Sequence, residues 1–277
     1  MSELNKIALK ILSNGKGILA ADESNGTMTK RLEAVNVPST PENRLLFRKT
    51  LFSSESMRDC IGGVILYDET INQSLNSDKT IPAIISSTET VPGIKVDTGA
   101  KVLSNSPEEK ITEGLDGLKK RLKKYYELGA RFTKWRGVYN ISEKYPSKLA
   151  INSNAKALAK YSAIVQECYM VPIVEPEVLM DGDHSAEVCL IKTSEVIQKC
   201  FEELILHKVD LTGIILKPNM ILAGNKSKNK ISNEEVSIKT LECLKKSVPN
   251  EVPGIAFLSG GQSEIEATEN LNLINKN

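Results

Sequence analysis

The sequence has few of the residues from which disulfide frameworks and transition-metal sites are built. Its 5 cysteines are scattered along 277 residues and never form a Cys-x-x-Cys pair, which is typical of reduced thiols that serve as packing groups. Its 2 histidines, His184 and His207, cannot supply a three-histidine zinc site, and no cysteine cluster stands in for the missing ligands. We therefore expect neither a disulfide framework nor a catalytic transition metal.

The sequence also lacks a charge imbalance and a long apolar run. Lys and Arg number 36 against 35 Asp and Glu, a net charge of +1, so no overall field favours nucleic acid or a membrane, and any anion site must be local. Residues 1–6 are polar and contain no signal-peptide core, and no stretch is long enough to cross a bilayer. We expect a cytoplasmic protein that binds neither nucleic acid nor membrane.

Short apolar runs recur along the chain, and each ends in a polar residue. Their intervals of roughly 30–45 residues fit alternating strands and helices. Helical signals fill the gaps, among them the capping-box spacing of Ser232 and Glu235. No low-complexity linker divides the chain, so we predict a single domain over residues 1–277 built on a parallel sheet. The seven predicted strands are residues 17–22, 62–68, 93–97, 131–136, 172–177, 213–217 and 254–259.

The positions of the polar residues favour closure of this sheet into a TIM (β/α)8 barrel, of which seven strands are identifiable. Each predicted strand has a charged or polar residue at or near its carboxyl end, where barrel enzymes have their active sites. These residues come from many strands, whereas an open sheet concentrates its site at one switch point. The segment 69–91 is polar and irregular, and we expect surface excursions there.

Lys217 is the most informative residue of the chain. It ends an unbroken apolar run and is followed by Pro218, which cannot donate to a sheet ladder, so the strand should stop there. A lysine at the end of a buried strand is costly to keep charged, and its neutral amine can attack a carbonyl group. The alternative is a lysine whose ammonium reaches out of the strand end to water.

Charged residues at other strand ends surround Lys217 in the predicted barrel mouth. Lys134 lies two strands away, and its ammonium would further favour the neutral amine of Lys217. Glu175 lies on the strand between them and is a candidate general acid and base, with Asp22 as a second candidate. The alternatives are structural. Lys134 and Glu175 would form only an ion pair, Asp22 would only begin a helix, and Glu177 would be a rim charge.

A small-residue turn follows the last predicted strand and precedes a helix that we expect to begin near Gln262. In barrels, the loops after the seventh and eighth strands commonly bind phosphate through backbone N–H groups. Solvated surface charge is the alternative for two of the nearby cations, Lys30 and Arg31. The turn consists of Ser259, Gly260 and Gly261, and the candidate cations are Lys30, Arg31, Lys95 and Arg136. The residues together predict a metal-independent lysine-imine enzyme that acts on phosphorylated carbonyl compounds.

The motifs at these positions resemble class I fructose-1,6-bisphosphate aldolases. The resemblance runs in order across nearly the whole chain, and the motifs are jointly very specific. They are GKGILAADES at 15–24, CIGGVIL at 60–66, GIKVD at 93–97, KWR at 134–136, VEPE at 174–177, LKPNM at 216–220 and FLSGGQSE at 257–264.

The resemblance implies a lyase of glycolysis and gluconeogenesis that works without a cofactor or metal. The reaction would be the reversible cleavage of fructose 1,6-bisphosphate into dihydroxyacetone phosphate and glyceraldehyde 3-phosphate, and the assembly a homotetramer. Lys217 matches the Schiff-base lysine and Glu175 the acid–base glutamate, with Glu177 beside it. Asp22 and Lys134 match groups near the scissile bond. The matched substrate- and phosphate-contacting positions are Ser24, Thr27, Lys95, Arg136, Ser259 and Gly260, with threonine at 27 where the family usually has serine.

The chain departs from the family pattern after the seventh predicted strand and its helix. The family continues with an eighth strand, a Ser-Tyr-Gly-Arg phosphate motif, a final helix and a tail that ends in tyrosine, and none of these motifs occurs in the 277 residues. We therefore expect an incomplete barrel with unpaired strand edges and a weakened phosphate grip. This leaves a second interpretation, a catalytically impaired truncated aldolase that acts as a non-catalytic binding or subunit partner. A third is another Schiff-base barrel such as a transaldolase, against which two phosphate sites argue.

Overall fold

A curled parallel sheet of six strands lies at the centre of the fold. In the computed structural model, which describes residues 1–54, 56–76 and 79–277, the order across this sheet is β1-β2-β5-β8-β9-β10. Two antiparallel hairpins, β3–β4 and β6–β7, lie outside it. The strands are β1 (Gly17–Ala21), β2 (Ile61–Leu66), β3 (Ser74–Asn76), β4 (Lys79–Thr80), β5 (Val91–Lys95), β6 (Gly99–Leu103), β7 (Ser106–Glu113), β8 (Phe132–Tyr139), β9 (Val171–Val178) and β10 (Ile215–Leu216).

Helices alternate with the strands of the parallel sheet, and most begin at a serine or threonine whose side chain accepts a hydrogen bond from a backbone N–H of the first turn. No helix among the described residues is both long and apolar enough to cross a membrane. The helices are α1 (Glu3–Leu12), α2 (Asn25–Glu33), α3 (Pro41–Phe52), α4 (Met57–Cys60), α5 (Asp68–Ile71), α6 (Ile81–Ser87), α7 (Leu118–Glu127), α8 (Lys148–Glu167), α9 (Ala186–Leu206), α10 (Asn233–Ser247) and α11 (Glu264–Lys276).

Side chains alternate between the two faces of the sheet, and the two faces have separate cores. Leu66, Trp135 and Val174 belong to the larger core, which the strands share with the surrounding helices. Ile65, Phe132, Ile173 and Ile215 belong instead to a smaller core on the concave face, which Ala8 and Ile11 of α1 complete. Because side chains two residues apart on a strand share a face, the next concave positions lie directly above this apolar layer, toward the carboxyl ends.

Glycine makes room for the largest ring of the concave face. Phe132 is fully buried, and a Cβ atom added at Gly93 would lie 2.4 Å from its ring. At Gly63, the same atom would lie 3.0 Å from the ring. Gly62 faces α1, where an added Cβ would meet the carbonyl oxygen of Ile11 at 1.8 Å. These glycines therefore let strands β2 and β5 close tightly on Phe132 and α1.

The sheet confirms the predicted curled parallel α/β fold but differs from the prediction at its last two strands. The strand predicted at 213–217 is regular only over Ile215–Leu216, because residues 211–213 form a 3-10 turn capped by the side chain of Asp210. The strand predicted at 254–259 is reduced to a single bridge between Leu216 and Ile255. In the described part of the chain this half-buried segment pairs along one edge only, so no second ladder extends it.

The segments between strands contain more structure than the sequence predicts. Part of the predicted surface excursion at 69–91 forms α5, the β3–β4 hairpin and α6, while residues 77–78 lie outside the described residues. The hairpin β6–β7 was not predicted. Its Thr112 donates a hydrogen bond of 2.6 Å from Oγ1 to the carbonyl oxygen of Arg136 on β8, so the hairpin supports that strand from outside.

The tight fit around Phe132 predicts that Gly93→Ala destabilises the fold. The added methyl group overlaps a ring confined by the concave core, which costs about 1–3 kcal/mol of unfolding free energy. Urea denaturation measures the change, and Phe132→Leu in the same chain should restore part of it. Gly26→Ala on α2 is the matched control, since nothing lies within 4 Å of its added methyl group. Equal losses at both positions would contradict the packing argument.

Candidate active site

Four charged side chains from different strand ends meet on the concave face. Lys217 donates a hydrogen bond of 2.5 Å from Nζ to Oε1 of Glu175. Nζ of Lys134 lies 3.4 Å from Oε2 of the same carboxylate and 2.8 Å from Oδ2 of Asp22. One buried carboxylate is therefore shared between two lysines, and one of those lysines also binds a second carboxylate.

The strand register explains why these residues meet. Lys134 pairs with Lys95 of β5 on one side and with Ile173 of β9 on the other. Glu175 lies two residues beyond Ile173, and Lys217 two residues beyond Ile215, so both project from the same face as the apolar layer but one level higher. The ladder also continues past β10, because the N–H of Lys217 donates to the carbonyl oxygen of Val174 at 2.8 Å.

The local electrostatics keep Asp22 and Lys134 charged. Burial alone would raise the pKa of Asp22, but the charge and hydrogen bond of Lys134 outweigh it and the pKa is lowered. Burial alone would lower the pKa of Lys134, but Glu175 and Asp22 outweigh it and the pKa is raised. The ion pair that the sequence left as the alternative for Lys134 and Glu175 is therefore present, and it includes Asp22.

A second pair lies one step further along β8 and β9. Arg136 donates from Nε to the carboxylate of Glu177, and Arg136 is half-exposed while Glu177 is nearly buried. Burial raises the pKa of Glu177, and the charge of Arg136 opposes this without cancelling it. The carboxylate of Glu177, which could have been a rim charge, is thus nearly buried and paired with Arg136.

Asp97 is a member of this cluster that the sequence analysis did not select. Its side chain is 4% exposed, and its Oδ1 lies 3.5 Å from Nζ of Lys95. Burial raises its pKa against the charges of Lys95 and Lys134. A signal for Asp97 exists in the sequence, because it is the polar residue that ends the predicted strand at 93–97.

The other candidate phosphate ligands lie on the α2 side of the mouth. Ser24 is the N-cap of α2, and its Oγ lies 3.1 Å from Oγ1 of Thr27. Arg31 is exposed on α2 and forms an ion pair with Glu23, the residue after Asp22. Lys30 is exposed in the last turn of the same helix. These groups flank the Asp22 strand end, and none of them contacts Lys217 or Glu175.

The turn at 259–261 differs from its prediction in how it meets the helix. Gly260 and Gly261 have φ values of +59° and +81°, a backbone conformation that favours glycine. Helix α11 begins only at Glu264, because Ser263 is its N-cap in a reciprocal capping box with Glu266. The helix expected near Gln262 therefore starts later, and the turn precedes the helix N-terminus.

Comparison with known proteins gives consistent matches over almost all of the chain. A family model described as "Glycolytic: Fructose-bisphosphate aldolase class-I" matches residues 3–277. The non-muscle fructose-bisphosphate aldolase of Lethenteron camtschaticum is 50% identical over 275 residues, which cover 99% of this chain and 76% of that protein. Fructose-bisphosphate aldolase C of Homo sapiens is 48% identical over 275 residues, with the same coverage of 99% and 76%.

A solved structure agrees with these sequences. The fructose-bisphosphate aldolase of Plasmodium falciparum, determined in a ternary complex with TRAP and a small-molecule inhibitor, superposes with a TM-score of 0.97 at 44% identity. The match covers 99% of this chain and 79% of that one. In the part of the chain that the structure describes, no group of three or more His, Cys, Asp or Glu side chains is arranged to hold a metal ion.

The shared lysine predicts a strong and pH-dependent effect of Lys134→Met. Removal of this cation leaves Asp22 buried without its main partner, which costs about 3–5 kcal/mol of unfolding free energy. In the wild-type chain the pKa of Asp22 is lowered by folding. Its ionised carboxylate therefore stabilises the fold at pH values above the pKa that Asp22 has in the unfolded chain. In the variant, burial raises that pKa instead, so the stability deficit should shrink as the pH falls and Asp22 takes up a proton.

Urea denaturation near neutral pH and in mildly acidic buffer measures this effect. Asp22→Asn added to Lys134→Met should recover part of the lost stability, since it removes the uncompensated carboxylate. Lys119→Met is the control, because its partner Glu167 is solvent-exposed and the pair should contribute little. A deficit that is unchanged by pH and by Asp22→Asn would contradict the shared ion pair.

Proposed function

The chain belongs to the class I fructose-bisphosphate aldolase family, and we propose that Lys217 is the amine through which it cleaves fructose 1,6-bisphosphate. The observation that supports this assignment is the contact between Nζ of Lys217 and Oε1 of Glu175 at 2.5 Å. An amine of this kind needs an adjacent base to lose its proton and an adjacent acid to expel water, and one carboxyl group in hydrogen-bond contact supplies both.

Imine formation then proceeds through proton transfers between Lys217, Glu175 and the substrate. Lys217 transfers a proton to Glu175, and the neutral amine attacks the C2 carbonyl of the open-chain sugar. Proton transfer from the new ammonium to the alkoxide gives a carbinolamine. Glu175 returns its proton to the C2 hydroxyl, which leaves as water. The product is a protonated imine whose positive nitrogen withdraws electrons from the neighbouring carbons.

Asp22 is the proposed base for carbon–carbon cleavage. It accepts the proton of the C4 hydroxyl as the C3–C4 bond breaks, and the electron pair of that bond moves into the iminium to give an enamine. Its lowered pKa keeps it ionised, the form that accepts a proton. Glyceraldehyde 3-phosphate leaves first. The proton that Asp22 has taken up then passes to C3, which converts the enamine to the iminium and restores the Asp22 carboxylate. Addition of water to the iminium releases dihydroxyacetone phosphate and restores Lys217.

The remaining site residues are proposed to hold the substrate and the catalytic groups. Lys134 fixes the positions of Asp22 and Glu175 through its two contacts. Glu177 holds Arg136 at the mouth, where the guanidinium is half-exposed and can meet a phosphate. The proposed phosphate and substrate ligands, at the positions where the chain resembles the family or adds a nearby cation, are Ser24, Thr27, Lys30, Arg31, Lys95, Arg136, Ser259, Gly260 and Gly261.

Two further properties are proposed from the family. We propose that the protein works in the cytoplasm as a homotetramer. Light scattering coupled to size-exclusion chromatography should give a mass of four copies of the 30.4 kDa chain. A mass of one chain at micromolar concentration would contradict the tetramer.

The assignment of Lys217 predicts where an imine can be trapped. Borohydride reduction in the presence of dihydroxyacetone phosphate should attach the sugar covalently to Lys217, as shown by peptide mass analysis. Lys217→Met should abolish both labelling and cleavage of fructose 1,6-bisphosphate, because methionine has no amine. Lys245→Met is the matched control, because Lys245 is exposed on α10, and this variant should retain both labelling and cleavage.

Two outcomes would contradict the proposal. Labelling of a different lysine would move the nucleophile elsewhere. Loss of cleavage on treatment with a chelator, with restoration by a divalent metal, would indicate a metal-stabilised enolate in place of the imine.

A further inference from the structure

Two arginines on one face of α3 lie behind the β1 end of the site. Arg44 and Arg48 are four residues apart, so both face the same side of the helix. Arg48 is completely buried, the most secluded charged side chain of the described residues, and Arg44 is 8% exposed. Neither takes part in the chemistry proposed above, so their burial needs another explanation.

Arg48 joins the loop after β1 to helix α5, which follows β2. Its Nη2 donates a hydrogen bond of 2.7 Å to the backbone carbonyl oxygen of Glu23, in the loop after β1. Its Nη1 donates one of 2.5 Å to Oγ1 of Thr70, in the segment after β2. Glu23 directly follows Asp22, so the guanidinium fixes the peptide next to the proposed base.

Two carboxylates lie near the guanidinium of Arg48, but neither is its hydrogen-bond partner. The carboxylate oxygens of Glu23 and Glu69 lie 3.9 Å and 3.8 Å from its guanidinium, beyond hydrogen-bond distance. Each of these carboxylates has a closer arginine of its own, Arg31 for Glu23 and Arg44 for Glu69. The direct hydrogen bonds of Arg48 go to neutral acceptors instead, and its Nε has no hydrogen-bond partner among the described residues.

A buried guanidinium with incomplete pairing is a poor source of stability, because its desolvation cost can exceed its electrostatic gain. Its rigid, planar fork is nevertheless well suited to hold the backbone carbonyl of Glu23 and the hydroxyl of Thr70 at a fixed separation. We propose that Arg48 is a positioning residue that holds the Asp22 carboxylate in its reactive place against Lys134. This inference rests on the proposed role of Asp22 as the base for cleavage.

Replacement of Arg48 should slow carbon–carbon cleavage, which uses Asp22, and leave imine formation intact. Without the guanidinium, the carbonyl of Glu23 loses its buried donor and the loop after β1 can shift. A displacement of about 1 Å at a catalytic group can cost on the order of 100-fold in rate. The imine step at Lys217 and Glu175 does not use Asp22, so it should be spared.

The experiment measures kcat and KM for fructose 1,6-bisphosphate in a cycle of Arg48→Met and Asp22→Asn. Arg48→Met should lower kcat by about 10- to 100-fold with KM changed by less than about threefold. In the Asp22→Asn background the same replacement should change kcat by no more than about twofold, because the group that Arg48 positions has already lost its function. Borohydride trapping at Lys217 should remain at the wild-type level in Arg48→Met.

Arg44→Met is the matched control, since it replaces a buried arginine on the same helix face that contacts Glu69 and Ser39 but not the loop after β1. It should leave kcat within about twofold. If Arg48→Met does not fold, Arg48→Lys serves in its place. A single ammonium cannot bind Glu23 and Thr70 in the same fork geometry, so a smaller loss of kcat with the same dependence on Asp22 is expected.

The outcomes separate this proposal from the function on which it rests. Wild-type kcat in Asp22→Asn would overturn the role of Asp22, and this proposal with it. An impaired Asp22→Asn chain, combined with an equal further loss from Arg48→Met in both backgrounds, would overturn the positioning role alone. Unchanged kcat in Arg48→Met, or loss of imine trapping in parallel with kcat, would overturn it as well.

Discussion

The site depends on one buried carboxylate, Glu175, that two lysines share. A carboxylate that is 3% exposed is tolerated only where its charge is paired, and here Lys217 and Lys134 approach its two oxygens from neighbouring strands. Lys134 in turn needs Asp22 on its other side. Each member is therefore held by the next, and the geometry of the whole cluster is set by the register of the parallel strands and by the side-chain repeat of two.

The same register explains why the apolar and charged layers are separate. On the concave face Ile173 and Ile215 form a buried apolar layer that packs against α1, and Glu175 and Lys217 lie two residues further along the same strands. The apolar layer excludes water from below, which strengthens every ionic contact above it. The fold thus places the charged groups on an apolar, low-dielectric layer, at the carboxyl ends of the strands.

Much of this arrangement could be predicted from the sequence because its causes are local. Pro218 directly after Lys217 marks the end of that strand, Glu175 lies near the carboxyl end of the predicted strand at 172–177, and the carboxyl ends of a parallel sheet lie on one side. The contact between them and Lys134 follows from strand order. The resemblance to the family then gave the chemistry, and the comparisons confirm the family over almost the entire chain.

What the sequence did not predict depends on contacts between distant segments. The strand at 254–259 contains the expected apolar residues, but a strand exists only where a ladder forms, and this segment pairs with β10 through the single bridge between Leu216 and Ile255. The hairpin β6–β7 lies between two predicted elements and has a polar pattern typical of a loop. Asp97 ends the predicted strand at 93–97 and lies just past β5, yet its burial beside Lys95 could be known only from the fold.

Arg48 shows the same limit most clearly. On a helical pattern it is one more charged residue, and burial of a charge is the least expected outcome for such a position. Its location depends on the tertiary position of α3, from which the guanidinium reaches Thr70 of α5 and the backbone of Glu23 after Asp22. The charged side chains of the site lie on the concave apolar layer, and in the described part of the chain no apolar packing on their other side fixes their geometry. The outer supports must then come from polar contacts to backbone carbonyl groups, such as those of Arg48 with Glu23 and of Thr112 with Arg136.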